Sequence, residues 1–273
     1  MIKVPDFDDE LRIVKDVLSD KNFDNVISLG FFCSIAKDIE SLGLRNFSGP
    51  FDWMVTTWNG IFRCFQTNFE VFLKKENLYQ ADVDRCIYAD KINNIIYFHD
   101  FSKYKTLDEQ FDDVKKKYNR RIKRFYDEIK KPTLFIRYIW DGELKGEKIN
   151  EIRTIEKDYP IFRMLIKSYC PENEVIFIAN SDVKSSLLPI AYVDKDDGDT
   201  VNRKPIYGNQ FLLDYLKNID YKNREANLDV YNKKQIAYKS FFYKITHKIY
   251  QIFNGMRKEF VYEKQYCHGD YRC

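Results

Sequence analysis

Apolar positions along this chain follow two rhythms. Leu11, Val14, Val17 and Leu18 recur at helical spacing and predict an amphipathic helix over residues 8–19. Ala36, Ile39, Leu42 and Leu44 predict a second helix that stops near Gly43. Ile61, Phe65, Phe69 and Phe72 predict a third over residues 57–75. A long stripe from Leu107 through Phe111, Val114, Tyr118, Ile122 and Phe125 to Ile129 predicts a helix over about 107–130. Residues 159–169 and 208–216 read as two shorter helices. Between them lie short continuous apolar runs: Val26 to Leu29, Thr133 to Tyr138, and Glu174 to Ala179. Runs of that length bounded by turn residues read as buried strands. Cys86 to Tyr88 and Ile95 to Phe98, joined by the polar segment Asp90 to Asn94, read as a hairpin.

Strands alternating with helices, with the strands apolar throughout, predict an α/β fold: a three-layer, mostly parallel sheet with helices on both faces. No repeat appears, and no clear linker precedes about residue 220. The expected organisation is therefore a catalytic domain over residues 1–220 and a helical C-terminal extension over 221–273.

Composition narrows the class. The chain has 273 residues, 44% apolar and 32% charged, with only 10 Gly and 7 Pro, which excludes linker-like and low-complexity chains. No run of about 18 apolar residues suggests a membrane span, and the first residues lack the apolar stretch of a signal peptide. A cytoplasmic protein with free thiols is the expectation for the 6 Cys. Net charge is +3, but the basic surplus runs from Lys239 to Cys273, which leaves the first 238 residues near neutral. A nucleic-acid binder carries its basic field over the folded domain, so no nucleic-acid partner is expected. The run Lys115-Lys116-Lys117 with Arg120, Arg121, Lys123 and Arg124 reads as a solvated helix face or a phosphate site. No nucleotide-binding glycine loop and no tetrahedral set of metal ligands appears, so no cofactor and no metal are expected.

The stretch Ile27-Ser28-Leu29-Gly30-Phe31-Phe32-Cys33-Ser34-Ile35-Ala36 carries the candidate chemistry. A buried strand ends, Gly30 permits a tight turn, and Cys33 falls where a helix starts. Free N–H groups and the helix dipole favour negative charge there, which favours thiolate over thiol. The backbone N–H groups near Phe32 and Ser34 would hold an oxyanion. The same position also suits a small Cys packed at a helix start. A thiolate nucleophile needs a proton acceptor. Of three His, His99 ends an apolar strand, His247 sits on a basic amphipathic segment and His268 lies near the chain end. His99 is the candidate base, with a hydrogen-bonded structural His as the alternative. Asp52, Asp100 and Asp182 are candidates to orient it, and each also suits a loop or cap. Arg137 ends a strand and would hold a carboxylate or phosphate, or else pair with Asp52. Asn180, beside Asp182, completes the strand-end set. Cys64, Cys86 and Cys170 read as core thiols.

The block Ser28-Leu29-Gly30-x-x-Cys33-x-x-Ala36, then Leu44-Arg45 and Pro50-Phe51-Asp52-Trp53, resembles a papain-like cysteine peptidase family of unknown function. His99-Asp100-Phe101, Tyr118-Asn119-Arg120-Arg121-Ile122 and Leu134-Phe135-Ile136-Arg137 also fit its pattern, over roughly residues 25–215. The resemblance implies Cys33 as nucleophile and His99 as base; Arg121 and Trp53 are further candidates for binding the substrate. Members often lie beside surface-polysaccharide genes, which implies an acyl or glycan substrate. The chain resembles more distantly the capsule-biosynthesis acyltransferase-like enzymes with a Gly-Asn-Cys turn; here the turn is Gly30-Phe31-Phe32-Cys33. Both resemblances imply thiol-centred acyl chemistry, by hydrolysis or transfer. A sugar transferase resting on Asp52, Arg137 and Asp182 is the alternative. A saccharide-binding module built on Trp53, Trp58 and Trp140 is a third. Residues 239–253 form a basic amphipathic pattern suited to the inner face of an anionic membrane or to the protein's own domain.

Overall fold

The computed structural model describes residues 7–144, 147–193 and 204–240. Its centre is a parallel sheet of strands β1 (Asn25–Ser28), β6 (Thr133–Leu144), β8 (Glu174–Asn180) and β9 (Ile190–Tyr192), in the order β1-β6-β8-β9. The register pairs Ser28 with Ile136 and Trp140 with Asn180. The far half of β6 leaves this ladder and pairs antiparallel with β7 (Glu147–Asn150). β1 is buried at all four positions, as a strand covered on both faces requires.

Alternation along these strands divides the core in two. Ile27, Leu29, Phe135, Val175 and Phe177 face one cluster; Val26, Leu134, Ile136, Tyr138, Ile176 and Ile178 face the other. The helices α1 (Phe7–Leu18), α2 (Ser34–Ser41) and α6 (Gln210–Asn218) bring residues to the second cluster. The helices α3 (Trp58–Gln66), α4 (Leu107–Glu128) and α5 (Ile152–Tyr169) bring residues to the first. Phe65 meets Phe162 edge-on at 5.1 Å and Phe125 at 5.6 Å, so one aromatic knot joins these three helices. The result is a sheet with helices on both faces, as the periodicity predicts.

Local chemistry fixes the helix starts. Thr106 and Glu109 form a reciprocal capping box on α4, and Thr57 and Asn209 accept N–H groups at the starts of α3 and α6. The predicted helix over 57–75 stops early. Its chain turns at Asn68, Phe69 and Leu73, all with positive φ, so Phe69 and Phe72 enter the core from turns. The predicted helix at Tyr159 instead begins at Ile152, because buried Ile152 and Ile155 extend the apolar face across Pro160.

A second, antiparallel sheet has the order β2-β5-β4-β3, with β2 (Met54–Thr56), β3 (Leu78–Asp82), β4 (Ile87–Asp90) and β5 (Ile95–Tyr97). The hairpin β4–β5 matches the sequence; the flanking strands carry no sequence signal of their own. Residues 224–240 are helical (α7). Contacts divide the chain into Met1–Asn227 and Leu228–Cys273. The amphipathic pattern from 241 to 253 and residues 194–203 lie outside the described residues. Among the described residues no helix is long and apolar enough to cross a membrane.

Candidate active site

The chain leaves β1 at Ser28 and turns at Gly30. The Ser28 hydroxyl accepts the Gly30 N–H at 3.1 Å, and the Gly30 carbonyl accepts the Tyr138 N–H at 3.1 Å. Gly30 has φ of +80°, and a Cβ there would lie 2.5 Å from the Thr56 hydroxyl oxygen, so this turn needs glycine on both counts. The Gly30–Phe31 peptide is cis. The Phe31 carbonyl then accepts the Thr56 N–H at 3.1 Å, and Cys33 is the N-cap of α2. No side chain caps this helix and its first turn holds no acidic residue, so its N-terminal field falls on the half-exposed Cys33 thiol. Ser34, the next residue, is buried, and its hydroxyl has no partner among the described residues. Phe32 is half-buried against the α2 side of the core.

Behind the turn sits a buried ion pair. Arg137 is fully buried; it donates to the Leu29 carbonyl at 3.0 Å, to the Thr56 hydroxyl at 3.2 Å and carbonyl at 3.1 Å, and to Glu151 at 2.6 Å. The other Glu151 oxygen accepts the Trp58 N–H at 2.5 Å. The guanidinium thereby ties β1, β2 and the start of α5 together behind the cysteine turn. Its partner is Glu151, not Asp52, and it faces the interior rather than solvent. Glu151 carries no motif in the sequence; only its place just before a helix hints at it.

Asp52 is buried and accepts Arg45 at 2.6 Å and the Gly49 N–H at 2.8 Å. Burial pushes its carboxyl up, against the opposing pull of Arg45. Trp53 lies under the Arg45 guanidinium at 5.3 Å. Asp100 accepts Lys117 at 2.5 Å and the Tyr118 hydroxyl at 2.9 Å. Asn180 ends β8 half-buried, its Oδ1 without a partner among the described residues, while Asp182 lies just beyond and is exposed. Asn180 and Tyr138 share one face of the sheet, and Asn180 bonds the Tyr138 phenol, whose burial pushes it up to about 12.

His99 is exposed. The register sets Ile95 opposite Thr56, next to Phe31, and Tyr97 opposite Met54, so β5 runs away from the cysteine turn before it reaches His99. Among the described residues no hydrogen bond joins His99 to Cys33. Of the other thiols, Cys64 is fully buried and burial pushes it up, and Cys170 is pushed up by burial and by its bond to Glu172. Trp58 is buried, and the Trp140 side chain lies outside the described residues. Among the described residues no group of three His, Cys, Asp or Glu is placed to hold a metal.

An α/β sandwich with a half-exposed thiol at a strand-to-helix turn defines a candidate cysteine-dependent hydrolase. Residues 24–159, just under half of the chain, match the family model "Putative papain-like cysteine peptidase". The matched segment contains Cys33, Asp52, His99, Arg121, Arg137 and Glu151. An uncharacterized protein, R408 of Acanthamoeba polyphaga mimivirus, is 28% identical over 187 residues, covering 58% of this chain and 79% of its own length. No solved structure matches.

Proposed function

We propose that the chain is a cysteine-dependent acyl-transfer enzyme, hydrolase or transferase, with Cys33 as nucleophile. The observation that carries this is Cys33 as the uncapped N-terminal residue of α2, directly after a parallel strand. The thiolate attacks a carbonyl carbon; the leaving group departs with a proton, and water or an acceptor hydroxyl then cleaves the thioester. N–H groups at the start of α2 hold the oxyanion. His99 is the imidazole among the described residues and takes the role of proton acceptor, which requires the irregular segment 98–106 to carry it toward Cys33. An acyl group on a surface-glycan precursor is the substrate class, a choice resting on the family resemblance.

The sugar-transferase alternative draws less support, since Asp52 and Arg137 are both engaged in buried ion pairs. Incubation with p-nitrophenyl acetate tests the proposal. A burst of nitrophenol with one acetyl group on the Cys33 peptide is expected, and C33A abolishes both. Equal turnover in C33A rejects the nucleophile. An unchanged pH–rate profile in H99Q removes His99 and leaves Cys33.

A further inference from the structure

On the first-cluster side of the sheet, α4 holds a half-buried guanidinium that no acceptor meets among the described residues. Arg121 has five N–H donors. Its Nη1 is shut off from solvent without an acceptor. The group lies over the Tyr118 ring at 5.2 Å. The acids around it are taken. Asp52, which feels its charge, is held by Arg45; Asp100 is held by Lys117 and by Tyr118 itself. A sequestered donor of this strength without a partner calls for an acceptor.

One turn along α4, on the same face, Arg124 lines a cavity of about 570 Å³. The cavity is also lined by Asn25, Asn46, Phe47, Lys222 and Asn223. Arg124 and Lys222 have no ion-pair partner among the described residues. Two acids line it as well: Glu128 is paired with Lys131 at 2.8 Å, and Asp24 is exposed. Asn223 donates to Asn46 at 3.3 Å, which leaves its own amide oxygen available. Asn25 begins β1, so the cavity opens at the end of the sheet opposite Cys33.

We propose that Arg124 and Lys222, which line the cavity, bind the phosphate group of a hydroxyl-rich phosphate monoester, such as a sugar phosphate, with Arg121 one turn back on α4 as a further donor. Guanidinium forks match phosphate oxygens in pairs. The Asn223 amide oxygen and the Asp24 carboxylate accept hydroxyl groups. The site does not rest on the cysteine chemistry, and C33S should bind unchanged.

Calorimetry on the full chain tests it, with glucose 1-phosphate, inorganic phosphate and neutral glucose as probes. Glucose 1-phosphate should bind saturably, phosphate more weakly, and glucose not at all. Arg124 is exposed, and R124Q should weaken glucose 1-phosphate by about tenfold. R121K keeps the charge but loses the fork, and should weaken it similarly with an unchanged melting temperature. No saturable heat from either phosphate probe, equal binding of glucose, or unaltered affinity in R124Q would overturn the proposal.

Discussion

Replacing Arg137 by Met keeps most of the side-chain volume and removes the cation behind the cysteine turn. Glu151 would be left buried with the N–H donor from Trp58, and the Leu29 and Thr56 carbonyls would each lose a donor. Breaking one half of a buried ion pair costs about 3–5 kcal/mol, because the surviving charge stays desolvated. That is a large share of the roughly 5–15 kcal/mol that holds a domain folded. With a urea dependence of about 2 kcal/mol per molar, the unfolding midpoint should fall by about 2 M. The double variant R137M/E151M removes both charges and should recover much of the loss. Urea titration followed by tryptophan fluorescence reads both. A single-variant cost below about 1 kcal/mol, or a double variant no better than the single, would refute a pinning role for this pair.

Two further perturbations probe the same region. Gly30→Ala places a Cβ against the Thr56 hydroxyl at positive φ, and should lower stability by about 1–3 kcal/mol and slow Cys33 alkylation; a melting temperature matching wild type contradicts this. Asp38, buried in α2, is pushed up to about 7 by burial, opposed by the Ile206 N–H and Lys204. Its folded carboxyl keeps a proton that the unfolded chain releases near pH 4, so its contribution is full below about pH 4 and lost as the pH rises through about 7. Asp38→Asn should therefore be the more stable protein at about pH 8 and equal to wild type at about pH 4 in thermal melts; a difference that does not vary with pH refutes it.

The parts of the fold legible in the sequence are those with long periodic signals. The α4 stripe and the runs forming β1, β6 and β8 fall close to their expected places, because burial on both sheet faces leaves a continuous apolar run. The strand-to-helix turn at Cys33 is visible because Gly30 sits between the two rhythms. β2 and β9 have three residues each, too few for a period, and are fixed by pairing with distant strands. The Arg137–Glu151 pair spans the β6–β7 excursion, so no local spacing announces it. Asp38 looks like an ordinary helix-surface acid; the chain that buries it arrives 168 residues later, at Ile206. His99 follows β5, a strand of the second sheet, so its position relative to Cys33 does not follow from the strand ends of the sheet that leads into the cysteine turn.

A reactive thiol at the start of α2 is tested most directly by competitive iodoacetamide labelling of the folded chain at neutral pH, read peptide by peptide in a mass spectrometer. Cys33 should be alkylated well before Cys64, Cys86 and Cys170. Labelling of Cys33 no faster than that of Cys86, or only after unfolding, would contradict it.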